Sequence, residues 1–173
     1  VDVSCQVGEI KLDKNILDAL GDVLLHILRN AVDHGIETLV DRNAAGKPET
    51  GTIRIVARPS GELVHIDISD DGKGPDWDRI RQRAVTQGLL PQDEKAVDNQ
   101  HLLDLLFTHG FSTAEQVGQV SGRGVGLDVV RSRIEELGGR VTMDGEAGKG
   151  TQCHLALPSS VLSTNGLFVQ CGP

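Results

Sequence analysis

The sequence predicts a two-layer α/β (α+β) sandwich, in which a mixed, mostly antiparallel sheet carries its helices on one face. Segments with three- and four-residue apolar spacing alternate with pairs of short alternating segments rather than with single strands, so hairpins supply the sheet. Tight-turn residues join these pairs, with Pro59-Ser60-Gly61 in the first and Gly148-Lys149-Gly150 leading into the last strand. The 173 residues suffice for one medium domain with a real core, not for two full ones.

Residues 1–13 alternate apolar and polar side chains and read as a strand or a short hairpin turning at Gly8. Asp13 can cap a helix over residues 14–34, where Leu17, Leu20, Leu24, Ile27, Leu28 and Ala31 form one apolar stripe. Gly35 suits a left-handed cap at its end. A short helix is expected over 39–45, a hairpin from 52–58 and 63–69, and helices over 76–87 and 100–107, the latter capped by Asp98. Residues 107–123 are rich in Gly, Ser and Thr and have no sustained period, as in a mobile loop that orders with its ligand. A helix over 125–137 stops at Gly138-Gly139, and 140–144 pairs with 151–157 as a second hairpin. Residues 166–171 look like a strand with nothing left to pair with, as if the sequence stops inside a further unit.

Composition narrows the function. Apolar residues at 38% and charged ones at 24% describe an ordinary globular chain. Seventeen basic against 25 acidic residues give a net charge of −8, which argues against non-specific nucleic-acid or anionic-membrane binding. A nucleotide remains compatible, because a small anion needs local donors and a metal rather than a basic protein. No apolar run has the length of a membrane span, and no signal-peptide pattern opens the sequence. Cys5, Cys153 and Cys171 are odd in number and lack metal-ligand spacing, as expected of reduced thiols in a cytoplasmic protein.

Four segments carry chemistry. His26, Asn30 and His34 recur at four-residue steps with Asp33 beside them, so they line one helix face; taken alone, the same row suits a solvated surface. Asp70-Asp71-Gly72-Lys73-Gly74 falls where a strand ends. A carboxylate there can accept from an exocyclic amine such as adenine N6, and the glycines let backbone approach a flat base, although the same pattern also makes a turn. Ser121-Gly122-Arg123-Gly124-Val125-Gly126-Leu127 opens a helix, where free N–H groups can receive phosphate. Gly148-Lys149-Gly150-Thr151 is not a P-loop: Gly150 replaces the Ser or Thr after the lysine, Met143 replaces the first glycine, and a strand follows.

In this order and on this frame, the segments resemble the nucleotide-binding superfamily of gyrase, Hsp90, MutL and histidine kinases (the GHKL or Bergerat-type fold). The wording is closest to its CheA-type chemotaxis branch. Leu25-His26-Ile27-Leu28-Arg29-Asn30-Ala31-Val32-Asp33-His34-Gly35-Ile36-Glu37, followed by Gly46-Lys47-Pro48, resembles that branch's first box. Phe107-Thr108-His109-Gly110-Phe111-Ser112-Thr113, running on to the glycine box at 122–126, resembles its lid and second box. The resemblance covers residues 1–158. Residues 159–173 resemble the start of the adjoining CheW-like regulatory domain.

The resemblance implies the roles. Asn30 would ligate Mg²⁺ on the triphosphate of ATP, and His26 would either help hold the metal or handle the acceptor's proton. Asp33 and His34 would lie beside the phosphates, Asp70 would read adenine with Gly72 and Gly74 giving it room, and Thr151 would support that end. Gly122, Gly124 and Gly126, with Val125 and Leu127, would present backbone to the phosphates, and Ser112, Thr113 and Arg123 would lie nearby. Arg79 and Arg83, four apart on one helix, can reach the phosphates or be solvated. Phe107 and Phe111 suit lid anchors.

His65, His101, His109 and His154 sit in no phosphoacceptor context, and His65 and His154 suit structural roles in strands. The expected enzyme is therefore an ATP:protein-histidine kinase domain that phosphorylates a histidine on a separate domain of the same kinase. A GHKL ATP hydrolase and a non-catalytic nucleotide-sensing module are the alternatives. The full-length protein would work with a CheW-like adaptor, chemoreceptors and response regulators, without nucleic acid or membrane insertion. The fragment is expected to be monomeric and the whole kinase dimeric. Pro75 departs from the aliphatic residue usual after Gly74, at a position that touches no expected contact.

Overall fold

A computed structural model describes residues 1–92, 97–111 and 126–160. Two hairpins build most of its sheet. Strands β2 (Thr52–Ser60) and β3 (Leu63–Asp70) pair antiparallel, as do β4 (Arg140–Glu146) and β5 (Gly150–Pro158). β3 and β5 then join the hairpins antiparallel, and β1 (Asp2–Val7) adds to β2 in parallel, giving the order β1-β2-β3-β5-β4. The mixed, mostly antiparallel sheet is the one expected.

Period-two burial sets the layers. Ile53, Ala57, Val64, Ile66, Ile68, Val141, Met143, Cys153, Leu155 and Leu157 turn to one face and are buried. There they share a core with Ile16, Leu20, Val23 and Ile27 of α1 (Lys14–Asn30) and Val130 and Ile134 of α5 (Leu127–Glu136). The opposite face is polar. Across it Arg58 donates to Asp67 at 2.8 Å, and the ring of His154 spans from Asp67 (2.7 Å) to Asp144 (3.1 Å). His154 is thus the satisfied strand histidine that its position suggested.

A second, smaller core lies between α3 (Trp77–Thr86) and α4 (Asn99–Leu105), where Ile80, Ala84, Leu90, Leu102, Leu105 and Phe111 meet. Phe107 joins the sheet core and Phe111 this second one, so both are the anchors expected of them. Asp13, Asp76 and Asp98 cap α1, α3 and α4 through their carboxylates. Among the described residues no helix is long and apolar enough to cross a membrane.

Of the two readings of residues 1–13, a strand or a short hairpin, the structure holds the strand: Gly8 N–H donates to the Ala57 carbonyl at 3.0 Å, and the chain then leaves the sheet toward α1. Alternation reports a strand but cannot report its partner. The inward stripe of α1 is rotated, with Ile16 and Val23 buried and Leu17 57% exposed. The helix also does not end on a left-handed Gly35. A π-helical turn, Ala31–Gly35, follows Asn30 and closes on Ile36 N–H to the Ala31 carbonyl at 2.8 Å.

Candidate functional site

The site is assembled where the end of α1, the exit of β3 and the start of β5 converge. On α1, the Asn30 amide nitrogen lies 3.0 Å from His26 Nε2. Half-burial pushes the His26 pKa below its ordinary value. Arg29 pushes the same way, and Asp128 at the start of α5 opposes. An amide nitrogen can only donate, so Nε2 accepts and the amide oxygen is turned elsewhere. Asp33 and His34 follow on the π-helical turn, both exposed.

The turn delivers Gly35 to Asp70, the last residue of β3. A Cβ on Gly35 would stand 3.4 Å from Asp70 Oδ1. Asp70 Oδ1 accepts from Gly72 N–H (2.9 Å) and Thr151 N–H (3.3 Å), and Oδ2 accepts from the Thr151 hydroxyl. Those three donors fill three of about four lone-pair positions on the carboxylate and fix its rotamer.

The glycines at the site serve the chain's own packing. A Cβ on Gly72 would lie 2.3 Å from the Gly35 carbonyl oxygen. One on Gly150, at φ +108°, would lie 2.0 Å from the Asp70 carbonyl oxygen, and Gly74, at φ +69°, faces the Glu146 carbonyl in the same way. The close approach visible at Gly72 and Gly74 is therefore of backbone to backbone. A cleft of about 420 Å³ opens beside them, lined by Ser69, Asp70, Asp144, Gly150, Thr151 and neighbouring residues. A larger groove of about 500 Å³ lies at the other end of the β2–β3 hairpin, around Lys11, Pro59 and Leu63, away from every site residue.

Behind Asp70 stands a cluster that sequence reasoning did not single out. Arg42 of α2 (Leu39–Ala44) is 1% exposed; it meets Glu37 at 3.1 Å and both oxygens of Asp71 at 3.2 and 3.0 Å. Lys47 donates to Glu37 at 2.6 Å and to the carbonyls of Asp71 and Gly72 at 2.9 and 2.7 Å. Burial pushes the pKa of Glu37 up, but the Lys47 hydrogen bond and the charges of Lys47 and Arg42 outweigh it, and the net shift is down. Asp71 is likewise lowered: its burial is outweighed by the Thr52 N–H and the Arg42 guanidinium. The Asp71 carboxylate in turn raises Arg42. The Glu37 and Gly46-Lys47-Pro48 segments hinted at this cluster; the burial of Arg42 left no sequence signal.

Gly126 stands at the start of α5, and Leu127 is its first residue. Asp128 of that turn meets His109 at 2.9 Å. Arg79 is exposed on α3, while Arg83 Nε is buried with no hydrogen-bond partner among the described residues. Ser112, Thr113, Gly122, Arg123, Gly124 and Val125 lie outside the described residues, as does most of the expected mobile loop.

A model of the histidine kinase-, DNA gyrase B- and HSP90-like ATPase family matches residues 16–161. The chain belongs to that family. Within this ATPase family its relatives bear out the resemblance to the CheA branch. The chain is 43% identical to the sensor histidine kinase CheAY of Helicobacter pylori, over 93% of this chain and 20% of that protein. It is 41% identical to the chemotaxis protein CheA of Klebsiella aerogenes, over 98% and 26%. It is 40% identical to a gliding motility regulatory protein of Myxococcus xanthus, over 99% and 22%. The chain thus spans a fifth to about a quarter of these relatives. The catalytic domain of the histidine kinase ThkA shares the fold, with a TM-score of 0.55 at 19% identity over 92% of this chain and 79% of that one.

Proposed function

We propose that this chain is the ATP-binding catalytic domain of a CheA-type histidine kinase, which transfers the γ-phosphoryl group of Mg-ATP to a histidine on a separate phosphoacceptor domain. The observation that supports it best is the Asp70–Thr151 pair, a carboxylate locked at a strand end beside the helix that carries Asn30.

In this reading Asp70 keeps one acceptor position for the exocyclic amine of adenine, and Thr151 supports it through its hydroxyl and N–H. Asn30 is the residue to hold Mg²⁺. Its amide nitrogen is engaged by His26, which leaves the oxygen, a hard donor suited to a hard cation. His26 orients that amide through Nε2; to help hold the metal or take the acceptor's proton, the two roles that the family resemblance implies, that nitrogen would exchange the amide for the metal or the proton. Mg²⁺, when bound, neutralises triphosphate charge. Asp33, His34, Arg79, Arg83, Ser112, Thr113 and Arg123, with the backbone of Gly122, Gly124, Val125, Gly126 and Leu127, surround the phosphates. Arg83 Nε, buried without a described partner, is a donor suited to such an anion.

In the transfer a bond forms from the acceptor imidazole nitrogen to the γ-phosphorus as the bond to the bridging β–γ oxygen breaks. ADP leaves and the imidazole proton is released. The chain contributes chiefly by positioning and charge neutralisation.

The kinase would be cytoplasmic, with residues 159–173 opening a CheW-like regulatory domain. Its partners would be an adaptor, chemoreceptors and response regulators. Mixing the chain with Mg-ATP and a purified acceptor domain should yield phosphohistidine, and Asn30→Ala or Asp70→Asn should reduce its rate by at least about tenfold. Release of free phosphate instead would indicate a hydrolase; neither product would indicate a nucleotide-sensing module. Undiminished phosphohistidine formation by both variants would refute the proposed pocket.

A further inference from the structure

We propose that Arg42, acting with Lys47, is a positioning residue for base recognition: it fixes the Asp71–Gly72 peptide, whose N–H holds the Asp70 carboxylate in its reading orientation. The inference rests on the reading of Asp70 as the adenine acceptor.

Burying a guanidinium is costly unless its donors are satisfied, and those of Arg42 are. Its Nε donates to the Pro48 carbonyl at 2.6 Å, Nη1 to Glu37 and Asp71, and Nη2 to Asp71 and to the Thr50 carbonyl at 3.4 Å. The fork therefore grips Asp71 through both carboxylate oxygens, a geometry that lysine cannot copy. Lys47 completes the grip. An ammonium has three protons, and Glu37, the Asp71 carbonyl and the Gly72 carbonyl take all three. Lys47 is thereby committed to the loop rather than offered to a phosphate.

With Asp71 held through its side chain and both carbonyls held by Lys47, the peptide between Asp71 and Gly72 cannot rotate. That peptide supplies Gly72 N–H, which lies 2.9 Å from Asp70 Oδ1. The opposite side of the loop is pinned to the nucleotide-facing helix, since Lys73 N–H donates to the Gly35 carbonyl at 2.9 Å. Loss of the fork would let the peptide turn, remove one of the three donors on Asp70 and blur its direction. The expected consequence is weaker discrimination between purines, with less effect on the triphosphate contacts.

The test compares Mg-ATP with Mg-ITP, whose base lacks the exocyclic amine, by calorimetric titration of this chain and of the Arg42→Lys and Lys47→Met variants. Circular dichroism is recorded on each variant. Lys47 is 16% exposed, so its replacement provides a milder perturbation if Arg42→Lys folds poorly. The unaltered chain should prefer ATP by roughly tenfold or more, the scale of a hydrogen bond to a charged group. In a folded variant that preference should fall toward unity while the ITP affinity stays within about twofold. A fold-preserving variant that keeps the full ATP preference, or that loses both nucleotides equally, would overturn the positioning role. Equal binding of the two nucleotides by the unaltered chain would instead refute base reading by Asp70 itself.

Discussion

Glu37 and Asp71 show what a single buried contact does to titration. Both carboxylates resist protonation in the folded chain, whereas the unfolded chain protonates them near the ordinary values of 4.5 and 3.8. Their contribution to stability is therefore complete above those values and is lost as pH falls through the depressed folded values. Thermal melts should show a midpoint that drops as pH falls below about 4.5, and Asp71→Asn should flatten that dependence while lowering the midpoint at pH 7. The thiols give a second check. Burial pushes Cys153 up to about 12, whereas Cys5 is exposed. Peptide mapping after treatment of the native chain with a thiol reagent should find Cys5 modified and Cys153 spared. At this scale Asn30, Asp70 and Thr151 were singled out through the resemblance of their segments, in that order, to a known family; taken alone, the first two segments suited a solvated face and a turn equally well. Arg42 was not singled out, since an arginine on a short helix ordinarily points to water, and only the folded chain brings Glu37 and Asp71 around it.

At the scale of elements, helices and hairpins could be read because periodicity and turn residues act locally. β1 could not be paired, because its partner lies some fifty residues away and alternation is indifferent to strand direction. The π-helical turn was equally hidden: its wide ring closes on Ile36 N–H to the Ala31 carbonyl, and its Gly35 packs against Asp70 and Gly72, which lie far along the chain. The glycines are the element-scale test. Gly72→Ala would place a methyl group 2.3 Å from the Gly35 carbonyl, so the loop and the turn must part. A loss of roughly 3 kcal/mol or more in denaturant unfolding is expected, with reduced Mg-ATP affinity. Ile134→Ala on α5, fully buried against the sheet, should cost about 2–5 kcal/mol without altering the preference for ATP over ITP.

At the scale of the molecule, two cores meet at α4, which gives Leu103 to one and Leu102 and Leu105 to the other, and just after it Phe107 enters the first and Phe111 the second. The Arg131 guanidinium lies 4.5 Å above the Phe107 ring, tying α5 to this junction. The site draws its residues from α1, β3 and β5, so the sheet and the helix packed on it align them rather than any one loop. One edge of that sheet has a practical meaning. β1 contributes Val3 and Val7, 55% and 64% exposed, and its outer hydrogen-bonding rim faces no other described strand. In concentrated solution such a rim invites strand-to-strand sticking between molecules, despite their mutual charge repulsion. A lysine at position 3 should therefore extend the concentration range over which light scattering reports a single small species, leaving nucleotide binding as it was.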